Sequence, residues 1–293
     1  MILITGASGL TGLYLLELLR NSGKFRVRCF VRKSSPQLEE VKKSGFEISF
    51  GEIEDDESLE QALIGIDTVV HIVNIRYSLK VMELAKSAGA RKIILIHTTG
   101  MYSKYREYAT EYIHIENAVS KSQNLDYVIL RPTMIYGSSM DQNMHNLIYY
   151  INNHNVFPVF GSGNGLMQPI HGKDVAKAIF SVLNNPFIKN KAYNISGGNA
   201  VSYRRILTLI SGKVNKKIRF VFIPYKISLI LGFLYEKIFK FLGRKPLITL
   251  EQIRRLSEDK NFSHKEAAED FGFQPICFED GITEEINALF GQK

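Results

Sequence analysis

Near its start the chain sets three glycines at a spacing of three, in the run Ile2-Leu3-Ile4-Thr5-Gly6-Ala7-Ser8-Gly9-Leu10-Thr11-Gly12. An apolar run precedes them and an apolar-periodic stretch, 13–19, follows, so the glycines occupy a strand-to-helix turn. That context, more than the spacing, fits a cradle for a dinucleotide diphosphate. Gly6 allows the tight turn, Gly9 lets backbone N–H groups approach phosphate oxygens, and Gly12 lets the helix pack close to the strand. The helix N-terminus adds unpaired N–H groups and a partial positive charge. Ser8 and Leu10 lie in the same turn and join the candidate cofactor contacts.

Strand-like runs recur at 1–5, 26–31, 46–50, 68–73, 92–97 and 127–131, with helical patterns between most of them, including 55–64 and 78–88. This alternation predicts an α/β, Rossmann-type doubly wound parallel sheet. After Gly137 the pattern turns to polar loops, then returns to a helix at 174–183 and a strand at 192–195. The expected division is an NAD(P)-binding domain of residues 1–136 and 172–196. Residues 137–171 and 197–293 form the smaller, C-terminal substrate-binding lobe.

The 293 residues, 45% hydrophobic and 23% charged, have an ordinary globular composition, which excludes a disordered chain. With a strand already begun at Ile2 there is no room for a secretory signal ahead of it, and a cytoplasmic location is expected. Cys29 and Cys277 cannot build a disulfide framework, and the histidines show no metal-ligand spacing, so no metal is expected. The net charge of +8 is concentrated late: from Lys213 to Lys245 the sole acid is Glu236. The apolar run 227–235 inside that stretch is too short to cross a bilayer. Segment 218–247 keeps two readings, contact with an acidic membrane surface or lipid-linked substrate, and a core or homodimer helix whose lysines reach water. No nucleic-acid reading motif accompanies the basic excess, so nucleic acid is not an expected partner.

Four further segments carry a family resemblance: Gly65-Ile66-Asp67-Thr68-Val69-Val70-His71, Leu130-Arg131-Pro132-Thr133-Met134-Ile135-Tyr136-Gly137, Pro169-Ile170-His171-Gly172-Lys173-Asp174-Val175-Ala176 and Thr249-Leu250-Glu251-Gln252-Ile253-Arg254-Arg255-Leu256. With the glycine run, the chain resembles the extended and atypical short-chain dehydrogenases/reductases, which include nucleotide-sugar epimerases and dehydratases. The resemblance implies that Pro132, Thr133 and Met134 pass beside the nicotinamide. It also brings Val73, at the end of the fourth strand-like run, and Glu52-Ile53, where the family usually has an aspartate and an apolar residue beside adenine, to the cofactor. Asp174 is expected to cap the helix that follows it.

The position about 20 residues beyond the last glycine chooses between cofactors, since a carboxylate there binds a ribose 2′-hydroxyl and a cation a 2′-phosphate. That position holds Arg32, followed by Lys33, and NADP is expected in preference to NAD.

The resemblance also implies a hydroxyl after the fifth strand, which falls on Thr98, and a Tyr-x-x-x-Lys pair on the next helix. Tyrosine relays a proton while hydride moves at nicotinamide, and lysine lowers the tyrosine pKa and holds the ribose. Aligning Glu116 puts Tyr108 at the tyrosine position and Tyr112 at that of the lysine. Moving a tyrosine pKa from near 10 to about 7 requires roughly 4 kcal/mol of differential stabilisation, which a neutral phenol does not supply.

The resulting expectation is an oxidoreductase or nucleotide-sugar epimerase/dehydratase-like enzyme, with Thr98 and Tyr108 at the reacting oxygen of a polar small molecule. The alternative is a non-catalytic NADP-sensing or scaffold protein, because Tyr112 stands in place of the lysine.

Overall fold

A computed structural model describes residues 1–244, 246 and 248–291. Lys245 and Leu247 of the basic segment, and residues 292–293 of the expected substrate lobe, lie outside the described residues.

Strands and helices alternate through the first half: β1 (Ile2–Thr5), α1 (Leu10–Ser22), β2 (Val27–Val31), α2 (Leu38–Lys43), β3 (Glu47–Phe50), α3 (Asp56–Leu63), β4 (Thr68–His71), α4 (Ser78–Ser87), β5 (Lys92–Ile96), α5 (Ala109–Ser120) and β6 (Asp126–Pro132). Then come β7 (Ile135–Tyr136), α6 (Met144–Asn153), β8 (Val156–Phe160), β9 (Leu166–Met167), β10 (Ile170–His171), α7 (Gly172–Asn184) and β11 (Lys191–Ile195). The remainder is β12 (Val201–Ser202), α8 (Tyr203–Lys213), β13 (Arg219–Ile223), α9 (Tyr225–Phe241), α10 (Leu250–Arg255), α11 (Lys265–Phe271) and α12 (Phe278–Phe290).

Seven parallel strands form the central sheet in the order β3-β2-β1-β4-β5-β6-β11, the doubly wound arrangement that the alternation predicts. Strands buried on both faces read as continuous apolar runs, as Lys92–Ile96 does. On one face Leu15, Leu16 and Leu19 of α1 meet Val175, Ile179 and Val182 of α7. On the other, α3, α4 and α5 contribute Leu63, Val81, Met82, Ile115 and Val119. Each such fully buried side chain contributes about 1.5–3 kcal/mol. A further core, with Ile148 of α6, Ile206 and Ile210 of α8 and Phe278 and Ile282 of α12, supports the late part of the chain.

Local signals explain most helix starts. Ser202 Oγ accepts the Arg205 N–H at 3.2 Å ahead of α8, and Thr249 with Gln252 makes a reciprocal capping box ahead of α10. Asp174 departs from its expected role. The cap of α7 is His171, whose Nδ1 accepts the Lys173 N–H at 3.2 Å. Asp174 is already inside the helix and 1% exposed, facing the returning chain, where Oδ2 accepts the Ile276 N–H and Oδ1 the Lys177 ammonium, each at 2.9 Å. It ties the late segment to the sheet instead of ending a helix.

Candidate functional site

In a doubly wound sheet the carboxyl ends of the strands open a crevice where the strand order reverses, here between β1 and β4. Loops after β1, β2, β3, β4 and β5 bound a crevice of about 820 Å³ at that point. Gly6 takes a left-handed φ of +79°, and a Cβ there would lie 3.2 Å from Ile72 and Val73. A Cβ on Gly12 would fall 2.3 Å from the Gly6 carbonyl oxygen, so only glycine lets α1 lie this close to the turn. No side chain caps α1 and no acid stands in its first turn, which leaves its leading N–H groups for an anion. These features fit the diphosphate of a dinucleotide.

Gly6, Ser8, Gly9, Leu10, Arg32, Ile53 and Val73 all line this crevice. Thr11, Ser35, Gln37 and Asn74 line it as well, without a sequence signal beyond their neighbours. Gly12 acts through packing. Lys33 turns away to place its ammonium 5.9 Å from the centre of the Phe50 ring, and exposed Glu52 does not line the crevice, although Gly51 and Ile53 on either side of it do. Pro132 ends β6, and its carbonyl accepts the Thr99 hydroxyl at 3.3 Å.

A second crevice, about 660 Å³, lies between the β5 and β6 loops and the segment 255–262. Thr98 and Asn143 line both crevices, and Thr133 and Met134 line the second. The Thr98 Oγ1 accepts the Gly100 N–H at 3.0 Å, so its own proton remains to be donated. The late segment is pinned across the opening: Glu258 accepts the Ser103 hydroxyl and the Lys104 N–H, each at 2.7 Å, and the Lys260 N–H donates to the Leu166 carbonyl at 2.7 Å.

The second crevice is cationic, with Lys104, Arg106, Arg255 and Lys260 set against Glu258 and Asp259. Burial, reinforced by the charge of Arg255, brings the Lys260 ammonium down to about 8. Among the described residues the buried Arg255 Nε has no hydrogen-bond partner, while Nη1 of the same guanidinium lies 3.5 Å from Glu251 Oε1.

Behind the junction runs a buried polar chain. His97 Nδ1 lies 3.0 Å from Glu116 Oε1 and Nε2 lies 3.0 Å from Ser78 Oγ. Burial lowers the His97 pKa against the pull of Glu116, so the ring is neutral at pH 7, with Nδ1–H donating to the carboxylate. Burial raises the Glu116 pKa, but the hydrogen bonds from His97 and Arg131 outweigh it and hold the group below the usual carboxylate range. Arg131 donates to Glu116 Oε2 from Nε at 2.8 Å and from Nη2 at 2.5 Å, and from Nη1 to the Tyr102 hydroxyl at 3.1 Å. Tyr102 lines the second crevice and donates in turn to Asn194 Oδ1 at 3.2 Å.

The structure therefore separates the residues expected to react together. Thr98 and Tyr112 line the cofactor crevice, with Tyr112 buried and the Arg106 guanidinium 5.3 Å from its ring centre. Tyr108 lines neither crevice: it precedes α5, 44% exposed, beneath the Arg76 guanidinium at 4.2 Å. Tyr102, which the sequence does not single out, lies by the second crevice. Glu116, used only to set the register, holds the buried chain together.

The profile of the family described as NAD(P)H-binding matches residues 6–186, which spans the glycine cradle, Thr98 and α7. The chain belongs to that NAD(P)H-binding family. Among curated relatives, N-acetyl-α-D-glucosaminyl-diphospho-ditrans,octacis-undecaprenol 4-epimerase of Escherichia coli O157:H7 is 20% identical over 99% of this chain and 95% of its own. NAD(P)H azoreductase of Xenophilus azovorans is 21% identical over 75% and 76%. Among solved structures, UDP-glucose 4-epimerase of Thermotoga maritima superposes with a TM-score of 0.76 at 17% identity over 98% of each chain. The NADPH-dependent quinone oxidoreductase of Escherichia coli gives 0.75 at 20% identity over 99% of this chain and 100% of its own. The NAD(P)H-binding family and its epimerase and reductase neighbours bear out the resemblance to extended short-chain dehydrogenases/reductases read from the motifs.

Proposed function

We propose that this member of the NAD(P)H-binding family is an NADP(H)-dependent enzyme that moves hydride to or from a sugar carried on a diphosphate. The observation that carries the reading is the meeting of a dinucleotide crevice with a cationic one at Thr98. Four cations set against two carboxylates suit a phosphorylated substrate better than a neutral acceptor. Two of the relatives named above are, by name, epimerases of UDP-linked and diphospholipid-linked sugars.

When bound, the nicotinamide supplies or takes up the hydride. Arg32, flanked in the crevice by Ser35 and Gln37 with no acid at the end of β2, favours a 2′-phosphate and hence NADP. Thr98 donates its hydroxyl proton to the reacting oxygen. Tyr102 exchanges the proton with that oxygen, and Arg131, 3.1 Å behind it, stabilises the phenolate as it forms. Tyr112 keeps the place of the family's lysine beside the cofactor without supplying its charge. Lys260, Arg255, Lys104 and Arg106 hold the diphosphate. Residues 1–136 and 172–196 act as the cofactor half and 137–171 with 197–293 as the substrate half.

The test is NADPH-linked turnover with a panel of UDP-sugars, comparing Tyr102→Phe with Tyr108→Phe. Tyr102→Phe is expected to lower kcat by about 10²–10⁴ with NADPH affinity unchanged, while Tyr108→Phe stays within a few-fold of the parent. Loss of turnover in Tyr108→Phe alone would restore the family's usual register. A protein that binds NADPH yet exchanges hydride with no sugar diphosphate would favour the sensing or scaffold alternative, which the Tyr112 replacement supports.

A further inference from the structure

Helix α9 turns toward solvent the side chains that a core helix hides. Of its 17 residues only Ser228 and Gly232 are buried, while Ile230 is 60% and Phe241 90% exposed. At about 100° per residue, Ile227, Ile230, Leu231, Leu234, Ile238 and Phe241 fall within an arc of roughly 120°, so the exposed side chains make one continuous face. Exposed Val221 and Phe222 of β13 adjoin its start, and Leu242 its end. A contiguous apolar face of this kind marks an interaction site.

Charge says with what. Lys226, Lys237 and Lys240 lie along one flank of the apolar arc, all exposed, and Arg219 and Arg244 stand beyond its two ends. The sole acid of the stretch, Glu236, accepts the Leu250 N–H on the side that packs against α10. Gly232 fits closely on that side, since a Cβ there would lie 2.5 Å from Ile253 Cδ1. The helix is therefore fixed to the protein by one side and leaves an apolar face with a basic border. Two copies joined antiparallel through this face about a two-fold axis would set their α9 lysine rows along the same edge, and α9 itself offers no acid there to pair them. No helix among the described residues is long and apolar enough to cross a membrane.

We infer that α9 seats this protein on a bilayer containing anionic lipids, its axis in the plane of the surface and its apolar arc in the headgroup and acyl boundary. The lysine flank meets lipid phosphates, and the apolar side chains enter to a depth of about 5–10 Å. The seat adjoins the reaction site: Phe222, Tyr225 and Leu256 line a groove of about 480 Å³, and Ser257 lines both that groove and the second crevice. A substrate with an isoprenoid or acyl tail would reach the cationic crevice from the lipid side, and this consequence alone rests on the proposed reaction.

Sedimentation of the full chain with vesicles, without cofactor or substrate, tests the seat separately from the reaction. Binding is expected on vesicles of phosphatidylcholine with phosphatidylglycerol and absent on phosphatidylcholine alone. Replacing Lys226, Lys237 or Lys240 by Gln should weaken binding about five-fold each. Ile238→Glu and Leu231→Glu should abolish it while NADPH affinity and Tm stay at parental values, which confirms folding. Failure to bind anionic vesicles, or equal binding by these variants, overturns the inference. A concentration-dependent dimer that Ile238→Glu dissociates, with no vesicle binding, assigns the face to a second copy instead.

Discussion

Arg32 and Lys260 mark the two ends of the reacting assembly, and each is a cation whose value depends on what it faces. Arg32 lines the cofactor crevice at the end of β2, where the chain itself places no acid. Arg32→Ala should weaken NADPH binding about ten- to hundred-fold, the equivalent of one charge-assisted bond of about 1.5–3 kcal/mol. NADH binding should change little, and titration calorimetry with both nucleotides checks the difference. Lys260 is brought down to about 8 by burial, so its charge is complete below that pH and lost above it. KM for an anionic substrate should therefore rise as pH passes 8, and Lys260→Arg should remove that rise, as a pH profile of initial rates would record. At this scale the sequence was legible where a residue follows a strand at a fixed count, as Gly6, Arg32 and Thr98 do. Lys260 and Arg255 were not: a parallel bridge from Met167 to Lys260 brings the late segment to the crevice, and nothing in local spacing announces that return.

At the scale of elements, the glycine turn makes the sharpest demand. With Gly12 changed to Ala, the new Cβ would lie 2.3 Å from the Gly6 carbonyl oxygen and 2.6 Å from that of Ala7, and α1 would have to shift off the turn. The variant should lose about 1–3 kcal/mol of stability by overpacking and bind NADPH at least ten-fold more weakly, as denaturant unfolding and calorimetry would measure. Helix and strand positions were legible because apolar period and glycine punctuation agree over β1, α1, β5 and α7. The catalytic register was less so. Aligning Glu116 counts residues along α5 but says nothing about where the chain before the helix points. Arg76, paired with Glu111 at 2.8 Å, packs over Tyr108 and keeps that side chain on the outer surface.

For the molecule as a whole, two buried groups pull stability in opposite directions with pH. His71 is fully buried, its Nδ1 2.8 Å from the Thr5 hydroxyl, and burial lowers its pKa to about 4. The unfolded state binds the extra proton between about 6.5 and 4, so this contribution, about 3 kcal/mol, is lost as pH falls through that window. Glu285, 1% exposed, is raised to about 8 by burial and then by the nearby Asp141 charge. Here the folded state holds the extra proton, and stability is lost as pH rises from about 4.5 to 8. Glu285→Gln should leave the unfolding free energy near parental at pH 5 and raise it above the parent progressively toward pH 8, by at most about 5 kcal/mol, as urea titrations at each pH would measure.

The central sheet also takes its last strand, β11, and the covering helix α7 from far along the chain, after a long excursion through other elements. The cluster that buries Leu15, Leu16 and Leu19 of α1 is completed only when α7 arrives, about 150 residues later; at about 5–20 residues per second that interval of synthesis lasts roughly 8–30 s. A ribosome-bound chain paused before α7 would leave the side of α1 that meets α7 uncovered, a stretch of elongation during which a newly made molecule would profit from a chaperone.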